Sequence, residues 1–162
     1  MTTMNSKPHL PPGSLVYYGE QKLDEVLIRH ILYNASAYEE REDIAPEELN
    51  PAEDHVNFYL IRGLHDAEKI ASIGQKIQLH PLSVEDILHM NTRNKMEEYP
   101  EYFLFIMRLL YLGDAGRVET EQISFVIKNN SLFAFAESKR PELRSLFERL
   151  KKGAPLRYKD AD

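Results

Sequence analysis

The sequence predicts a mixed α/β fold built around one hydrophobic core. Its 162 residues, 43% apolar and 28% charged, suffice for one domain with a sizeable core. Strand-like segments come first, two helical segments follow, and a run of strands with a final helix completes the chain. This order differs from a series of βαβ repeats and indicates a mixed α/β layer.

The first third of the chain contains three strand candidates. Residues 15–18 and 26–33 are short runs rich in Val, Leu, Ile and Tyr, and 56–61 is a third run that ends just before Gly63. Between them, residues 38–54 are acidic and interrupted by prolines. We expect short helical turns there on the surface, around Pro46 and Pro51.

Two helices are predicted in the middle of the chain. After Asp66, apolar or small residues recur at helical spacing, at Ala67, Ile70, Ala71, Gly74 and Ile77. Residues 80–88, with the sequence HPLSVEDIL, predict a second helix. Pro81 suits its first turn, and acidic residues near a helix start favour the helix dipole.

The last third predicts a strand meander followed by a helix. Residues 102–112 form a long strand, apolar on both alternating faces, which is typical of a central strand covered on both sides. Residues 114–116 predict a turn, and strands are expected at 121–128 and 132–136, joined by a tight turn. The core is expected to include Phe103, Phe105, Met107, Leu109 and Tyr111 of the long strand, and Leu143, Leu146, Phe147 and Leu150 of a helix at 141–152.

Charge and composition exclude several classes of protein. The net charge of −6 disfavours a dedicated nucleic-acid binder. The absence of cysteine rules out disulfides, thiolate zinc sites and a cysteine nucleophile. The most apolar stretch, 102–112, is interrupted by Arg108 and falls short of the about 20 residues that a membrane span needs. We therefore expect this chain, taken alone, to be soluble.

The motifs of common enzymes are missing. The seven glycines are scattered without a phosphate-binding loop, and there is neither an HExxH motif nor a nucleophile elbow around any serine. The six histidines lack metal-ligand spacing among themselves. We therefore do not expect an enzyme, and an unrecognised active site is the last of the alternatives.

One cluster of metal-ligand residue types lies on the second predicted helix. His89 follows Glu85 by four residues and Asp86 by three, which places them on neighbouring helix positions. Glu85 and Asp86 are adjacent and point about 100° apart, so they need ligands from elsewhere to bind one ion. Mg²⁺ accepts such an arrangement because it keeps much of its water. The alternative is a solvated helix start whose acids favour the dipole.

The same segment resembles a known family signature. HPLSVEDIL, at residues 80–88, is similar to the HPL-x-x-EDIL signature in the cytoplasmic domain of CorA-type divalent-metal transporters. The resemblance extends in the same order over about residues 11–150. It includes the strand near residues 11–17, the Gly63 turn before the first helix, the run from Arg93 through residues 102–106, and the Glu121-Gln122-Ile123-Ser124 strand.

Two departures from the family pattern are visible. Thr92-Arg93-Asn94-Lys95 stands where the family has Gln-Arg-Pro-Lys, and Phe58 stands where a tryptophan is common. Family members also continue through a stalk helix to two membrane spans and a Gly-Met-Asn signature, which these 162 residues do not contain. We therefore expect this chain to be the soluble domain of a longer transporter.

The resemblance implies a fold, a site and partners. The implied fold is a mixed parallel and antiparallel sheet with helices on both faces. The full protein is implied to be a homopentamer, in which this domain lies at the cytoplasmic face of the cell membrane. Asp86 is implied as the main carboxylate of a regulatory Mg²⁺ site and Glu85 as an accessory one. Their partner ligands are implied to lie on the stalk of a neighbouring subunit, in the segment beyond Asp162. His89 has no role that the family transfers, but a histidine favours Co²⁺, Ni²⁺ or Zn²⁺ over Mg²⁺.

The resemblance also implies a division of the chain and leaves two rival functions open. Residues 1–13 are expected to be a flexible leader, 14–152 the CorA-like domain, and 153–162 the start of a connection to a stalk and membrane part. The expected function is divalent-cation sensing for a Mg²⁺/Co²⁺ transport channel, with no catalysis and no catalytic cofactor. The alternatives are the same domain of a related zinc transporter, or a stand-alone soluble protein that binds a metal or a partner.

Overall fold

The computed structural model describes residues 11, 14–113, 116–139 and 144–153. In this part of the chain, one seven-stranded sheet has the strand order β2-β1-β3-β7-β6-β5-β4. The elements are β1 (Leu27–Tyr33), β2 (Tyr38–Arg41), β3 (Val56–Arg62), α1 (Ala67–Lys76), α2 (Pro81–Leu88), β4 (Lys95–Tyr99), β5 (Tyr102–Leu112), β6 (Val118–Lys128), β7 (Ser131–Ala136) and α3 (Arg144–Lys151), with a short 3₁₀ turn at Pro46–Glu48.

The centre of the sheet is the pairing of β3 with β7. These two strands run parallel, whereas the other neighbouring strands of the described sheet pair antiparallel. Six of the seven β3 residues are buried, as expected for a strand covered on both faces. Tyr59 lies opposite Phe133, and their rings stack with centroids 4.9 Å apart. The predicted mixed parallel and antiparallel sheet is confirmed.

The two predicted central helices are confirmed, and they form the crossover from β3 to the other half of the sheet. Asp66 accepts a hydrogen bond from the backbone N–H of Lys69 at 2.9 Å and so caps the start of α1. Their apolar sides pack on the sheet face that carries Tyr59 and Phe133. The buried helix residues of this cluster are Ile70, Ile73, Val84, Ile87 and Leu88.

The opposite sheet face carries a second, smaller cluster. It contains Phe58 and Leu60 of β3 together with Phe147 and Leu150 of α3. Phe147 meets Phe58 edge-on, with centroids 5.3 Å apart, and the guanidinium of Arg29 lies 5.0 Å from the centre of the Phe147 ring. The predicted burial of Phe147 and Leu150 is confirmed. Leu143 and the predicted helix start at residue 141 lie outside the described residues.

The predicted core role of β5 is wrong in part. Phe103 and Met107 are 40% and 38% exposed, and Phe105, Leu109 and Tyr111 are half-buried. β5 is next to the edge strand β4, and the second cluster contains α3 residues together with residues of β1, β3, β6 and β7. The apolar side chains of β5 therefore lie at the periphery of the second cluster and not in its buried centre.

Three further elements differ from the prediction. Residues 15–18 do not form a strand, since only Tyr18 makes a single bridge, to His89. The acidic segment contains strand β2 as well as the expected turn at Pro46, and β4 was not predicted. Both unpredicted strands are the charged edge strands of the sheet.

The predicted ends of the domain fall mostly outside the described residues. Residue 11 is the one described position of the predicted leader (1–13), and residue 153 is the one described position of the predicted connection (153–162). Asp162, beyond which the resemblance places the partner ligands of the metal site, also lies outside the described residues. The position of those ligands therefore stays a prediction. Of the predicted turn at 114–116, the structure describes Gly116 alone.

A buried histidine joins β1 to β3. His30 is 4% exposed, stacks on Tyr59 with centroids 4.1 Å apart, and hydrogen-bonds through Nε2 to Asn57 Oδ1 at 3.2 Å. Asn57 in turn bonds the backbone of Ala52 and His55, so it ties down the turn before β3. Burial lowers the pKa of His30 below its ordinary value of about 6.5, with Arg41 lowering it further, although the bond to Asn57 opposes the shift.

We predict that this histidine makes the fold less stable in mild acid. The unfolded chain binds a proton near pH 6.5, whereas the folded chain holds His30 neutral. Stability therefore falls as the pH drops through about 6.5, by at most about 1.4 kcal/mol per pH unit. Urea denaturation at several pH values measures this slope. His30→Gln keeps an amide that can bond Asn57 but does not titrate, so its slope should be shallower. Equal slopes would contradict the prediction.

Candidate functional site

The two candidate carboxylates lie in the second half of α2. Pro81 occupies the first helical position, and His80 caps the helix by accepting from the backbone N–H of Leu82 at 3.2 Å. The first turn contains no acidic residue, so the predicted dipole-favouring acids at the helix start are wrong. Glu85 and Asp86 lie instead toward the C-terminal end, where the dipole disfavours negative charge. The helix dipole therefore does not explain why Glu85 and Asp86 lie in this part of α2.

Asp86 forms an ion pair with Lys95 at the start of β4. Lys95 Nζ lies 2.6 Å from Asp86 Oδ2 and 2.9 Å from Glu97 Oε1, so one ammonium bridges two carboxylates. The Asp86 and Lys95 side chains are 24% and 19% exposed, respectively. The pair is therefore partly shielded from water, and the lysine offsets the unfavourable position of Asp86 on the helix.

The pKa values of Lys95 and Glu97 reflect this bridge. Burial alone lowers the pKa of Lys95, but its hydrogen bonds to Asp86 and Glu97 outweigh burial, and the pKa lies above its ordinary value. The hydrogen bond from Lys95 lowers the pKa of Glu97, against a smaller opposing effect of burial. At neutral pH, the bridge is therefore a cation between two carboxylates.

The end of α2 is fixed by polar contacts from the sheet and the loop that follows. Gln122 of β6 donates to the backbone oxygen of Asp86 at 3.4 Å and accepts from the backbone N–H of Thr92 at 3.1 Å. Thr92 Oγ1 donates to the backbone oxygen of His89 at 2.8 Å. Gln122 is 3% exposed. These bonds hold the carboxylate-bearing turn against the sheet, and spacing in the sequence did not indicate them.

His89 is the C-cap residue of α2, and its ring packs beside Tyr18. Its ring lies 5.3 Å from the ring of Tyr18, and its backbone N–H donates to the oxygen of Asp86 at 3.3 Å. Its Nδ1 atom is buried without a hydrogen-bond partner in the described part of the protein. Arg108 of β5 lies nearby and donates to the backbone oxygen of Met90 at 3.4 Å.

The structure places the three candidate residues on one helix end but does not assemble a complete metal site. Within the described ranges, no three His, Asp or Glu side chains form a group that could hold a metal ion. The donors that α2 offers are carboxylate oxygens, which suit a hard, hydrated cation such as Mg²⁺. Asp86 and Glu85 are of the ligand type that such a cation takes, but Lys95 already pairs with the Asp86 carboxylate.

Comparison with known proteins identifies the class of protein. The family model described as "CorA-like Mg2+ transporter protein" matches residues 53–161, more than half of the chain. The chain therefore belongs to the CorA-like Mg²⁺ transporter family. No helix in the described part of the chain is both long and apolar enough to span a membrane.

Individual relatives agree with this assignment. The cobalt/magnesium transport protein CorA of Thermotoga maritima is 28% identical over 137 residues, covering 83% of this chain and 39% of its own length. The chain thus spans about two fifths of that relative. The soluble domain of CorA from Methanocaldococcus jannaschii has a similar fold, with a TM-score of 0.57, 15% identity, and coverage of 77% of this chain and 46% of that one.

A second solved domain has a similar fold as well. The ZntB cytoplasmic domain from Vibrio parahaemolyticus matches with a TM-score of 0.62 and 15% identity, covering 79% of this chain and 50% of that one. At this identity, both structural matches establish the fold alone. The family signature that the sequence suggested, at residues 80–88, lies inside the matched region, on α2.

We predict that the Asp86 carboxylate contributes little to the stability of the fold. Partly exposed ion pairs are worth less than about 1 kcal/mol, so Asp86→Asn should unfold at nearly the same urea concentration as the unchanged chain. Gln122→Ala is the contrasting variant, because it removes two hydrogen bonds from a buried position and should cost about 2 kcal/mol. A larger loss in Asp86→Asn than in Gln122→Ala would make Asp86 a structural residue.

Proposed function

We propose that this chain is the cytoplasmic, divalent-cation-sensing domain of a CorA-like Mg²⁺/Co²⁺ transport channel. Membership of the family supports the transport context, and the name of the Thermotoga maritima relative supports magnesium and cobalt as the ions. The position of Asp86 carries the proposal. Its carboxylate stands at the unfavourable end of a helix and is paired with a lysine on a neighbouring strand.

Asp86 and Glu85 supply half of a regulatory site in this proposal. The other ligands come from a neighbouring subunit of a homopentamer, in the segment that follows Asp162, since two adjacent helix carboxylates point about 100° apart and need outside partners. A cation between two such carboxylate surfaces neutralises their repulsion and favours the closed assembly. When the ion leaves, the acids repel and the subunits spread. The switch depends on the difference in cation affinity between the closed and open states.

Lys95 sets the threshold of this sensor. Its ammonium lies 2.6 Å from Asp86 Oδ2, where it competes with an incoming divalent ion for the same carboxylate. Glu97, 2.9 Å from the same ammonium, offers Lys95 a second carboxylate while the ion is bound. Weak binding suits a sensor of free Mg²⁺ inside a cell, where a millimolar dissociation constant corresponds to about 4 kcal/mol.

Ion flux through membrane vesicles tests the proposal, using the transport protein that carries this chain. The internal Mg²⁺ concentration that halves the flux should rise several-fold in Asp86→Asn. It should fall in Lys95→Met, because the competing ammonium is gone. Glu98→Gln, which removes an exposed carboxylate of β4, is the matched control and should leave this concentration unchanged. If Asp86→Asn and Glu98→Gln behave alike, Asp86 is not part of the sensor.

The zinc-transporter alternative has one observation in its favour. The Vibrio parahaemolyticus ZntB domain and the CorA domain both share the fold, but His89 follows the two carboxylates at the end of α2. Nitrogen ligands favour Zn²⁺, Co²⁺ and Ni²⁺ over Mg²⁺. In the same vesicles, His89→Gln would weaken the effect of Zn²⁺ much more than that of Mg²⁺ if this alternative holds. Equal effects on both ions favour the Mg²⁺ sensor.

A further inference from the structure

A cavity of about 570 Å³ lies at the C-terminal end of α1. Its walls are the end of α1, the turn between β6 and β7, and the loop that follows the 3₁₀ turn. The floor is apolar, formed by Leu49, Ile77 and Phe133, all buried. This volume is within the range of about 300–1,000 Å³ that is typical of small-molecule sites.

Hydrogen bonds tie the walls together. Lys128 Nζ donates to the backbone oxygen of Ile77 at 3.1 Å and to Gln78 Oε1 at 2.8 Å, which joins the turn to α1. Asn130 Nδ2 donates to the backbone oxygen of Glu53 at 3.0 Å, which joins the turn to the loop. The cavity is therefore held open by its own side chains, and a ligand need not order its walls.

Gln78 occupies a backbone position that favours glycine. It follows the last residue capping α1 and has a φ of 61°, in the left-handed region. Glycine is the usual residue at such a helix end, because a side chain there is strained. The glutamine nevertheless provides an amide oxygen that holds the ammonium of Lys128 at the cavity. Strained residues of this kind concentrate at binding sites.

The rim carries positive charge that the described residues do not neutralise. Lys76 Nζ donates to the backbone oxygen of Glu47 at 3.2 Å, and Lys128 binds two neutral oxygens. Among the described residues, neither ammonium forms an ion pair with a carboxylate. Glu53 is the single acid of the described lining, so the rim has one excess positive charge. An ammonium has three donors, and an anion would gain charge-assisted hydrogen bonds from both lysines.

We propose that this cavity binds an organic phosphate of about the size of a mononucleotide. The phosphate accepts from Lys76 and Lys128, and its ring-bearing part lies on the apolar floor. Asn129 and Asn130 also line the cavity, and their side chains offer amide groups for the polar edge of a ring or sugar. A bare anion would contact the charged rim but would make no contact with the apolar floor. The combination of a charged rim and an apolar floor therefore favours an organic phosphate.

NMR titration of the ¹⁵N-labelled chain tests the proposal with three probes: AMP, adenosine and inorganic phosphate. AMP at millimolar concentration should shift the amide signals of residues 76–78 and 128–131 to saturation. Adenosine lacks the anion and inorganic phosphate lacks the ring, so each should bind at least about tenfold more weakly than AMP. Equal binding of inorganic phosphate and AMP would overturn the proposed ligand class, as would equal binding of adenosine and AMP.

Two lysine variants of α1 provide the matched comparison. Lys76→Met removes an exposed ammonium from the rim and should weaken AMP binding about tenfold. Lys69→Met changes the same residue type on the same helix but near its start, where Lys69 bonds the backbone oxygen of Val26, and should leave AMP binding unchanged. Both side chains lie outside the core, so both variants should fold. Equal AMP affinities in the two variants, or no saturable shifts at the cavity, would overturn the proposal.

Discussion

The parallel pairing of β3 with β7 is the contact on which the rest of the fold depends. It joins the three N-terminal strands to the antiparallel meander, and both strands contribute residues to the cores on the two sheet faces. The stacked rings of Tyr59 and Phe133 lie in register across this pair. A parallel connection needs a crossover, and α1 and α2 provide part of it while covering one face of the sheet. The position of α2, and hence of its carboxylates, follows from this connection.

The placement of α2 determines which of its side chains can act. Val84, Ile87 and Leu88 are buried in the core, and the remaining positions present Glu85 and Asp86 at partly exposed sites. A carboxylate near a helix C-terminus is unfavourable by itself, and Lys95 supplies the compensating charge. In the proposed function, a divalent ion displaces Lys95 from Asp86, and the ion concentration thereby changes the charge of this surface. This coupling connects the local ion pair to the proposed regulation.

The accuracy of the sequence-based predictions varied with the burial of each element. The predictions from the dense apolar run of β3, the helical spacing of α1 and the HPLSVEDIL segment of α2 are confirmed, because these elements bury most of one side or both. The edge strands β2 and β4, with sequences YEER and KMEEY, were missed. Edge strands need little apolar surface and commonly carry charges that discourage pairing with other chains. Their sequences therefore lack the usual signal of a strand.

The sequence predicted the local part of the candidate site but not its long-range contacts. Spacing along a helix identified Glu85, Asp86 and His89 as neighbours, and the family signature singled out Asp86. The ion pair with Lys95 joins a helix to an edge strand across nine residues, and the bond from Gln122 spans thirty-six. No local pattern encodes such contacts.

The amino-acid sequence by itself determined the family, the main helices and the central strands, because collinear motifs and apolar periodicity are local properties of the chain. Only the tertiary structure decided that Asp86 shares its carboxylate with Lys95, that β5 is partly exposed, and that two lysines line a cavity at the end of α1. These features depend on sheet order and on which elements pack together. Both arise from long-range contacts between segments that are remote in sequence.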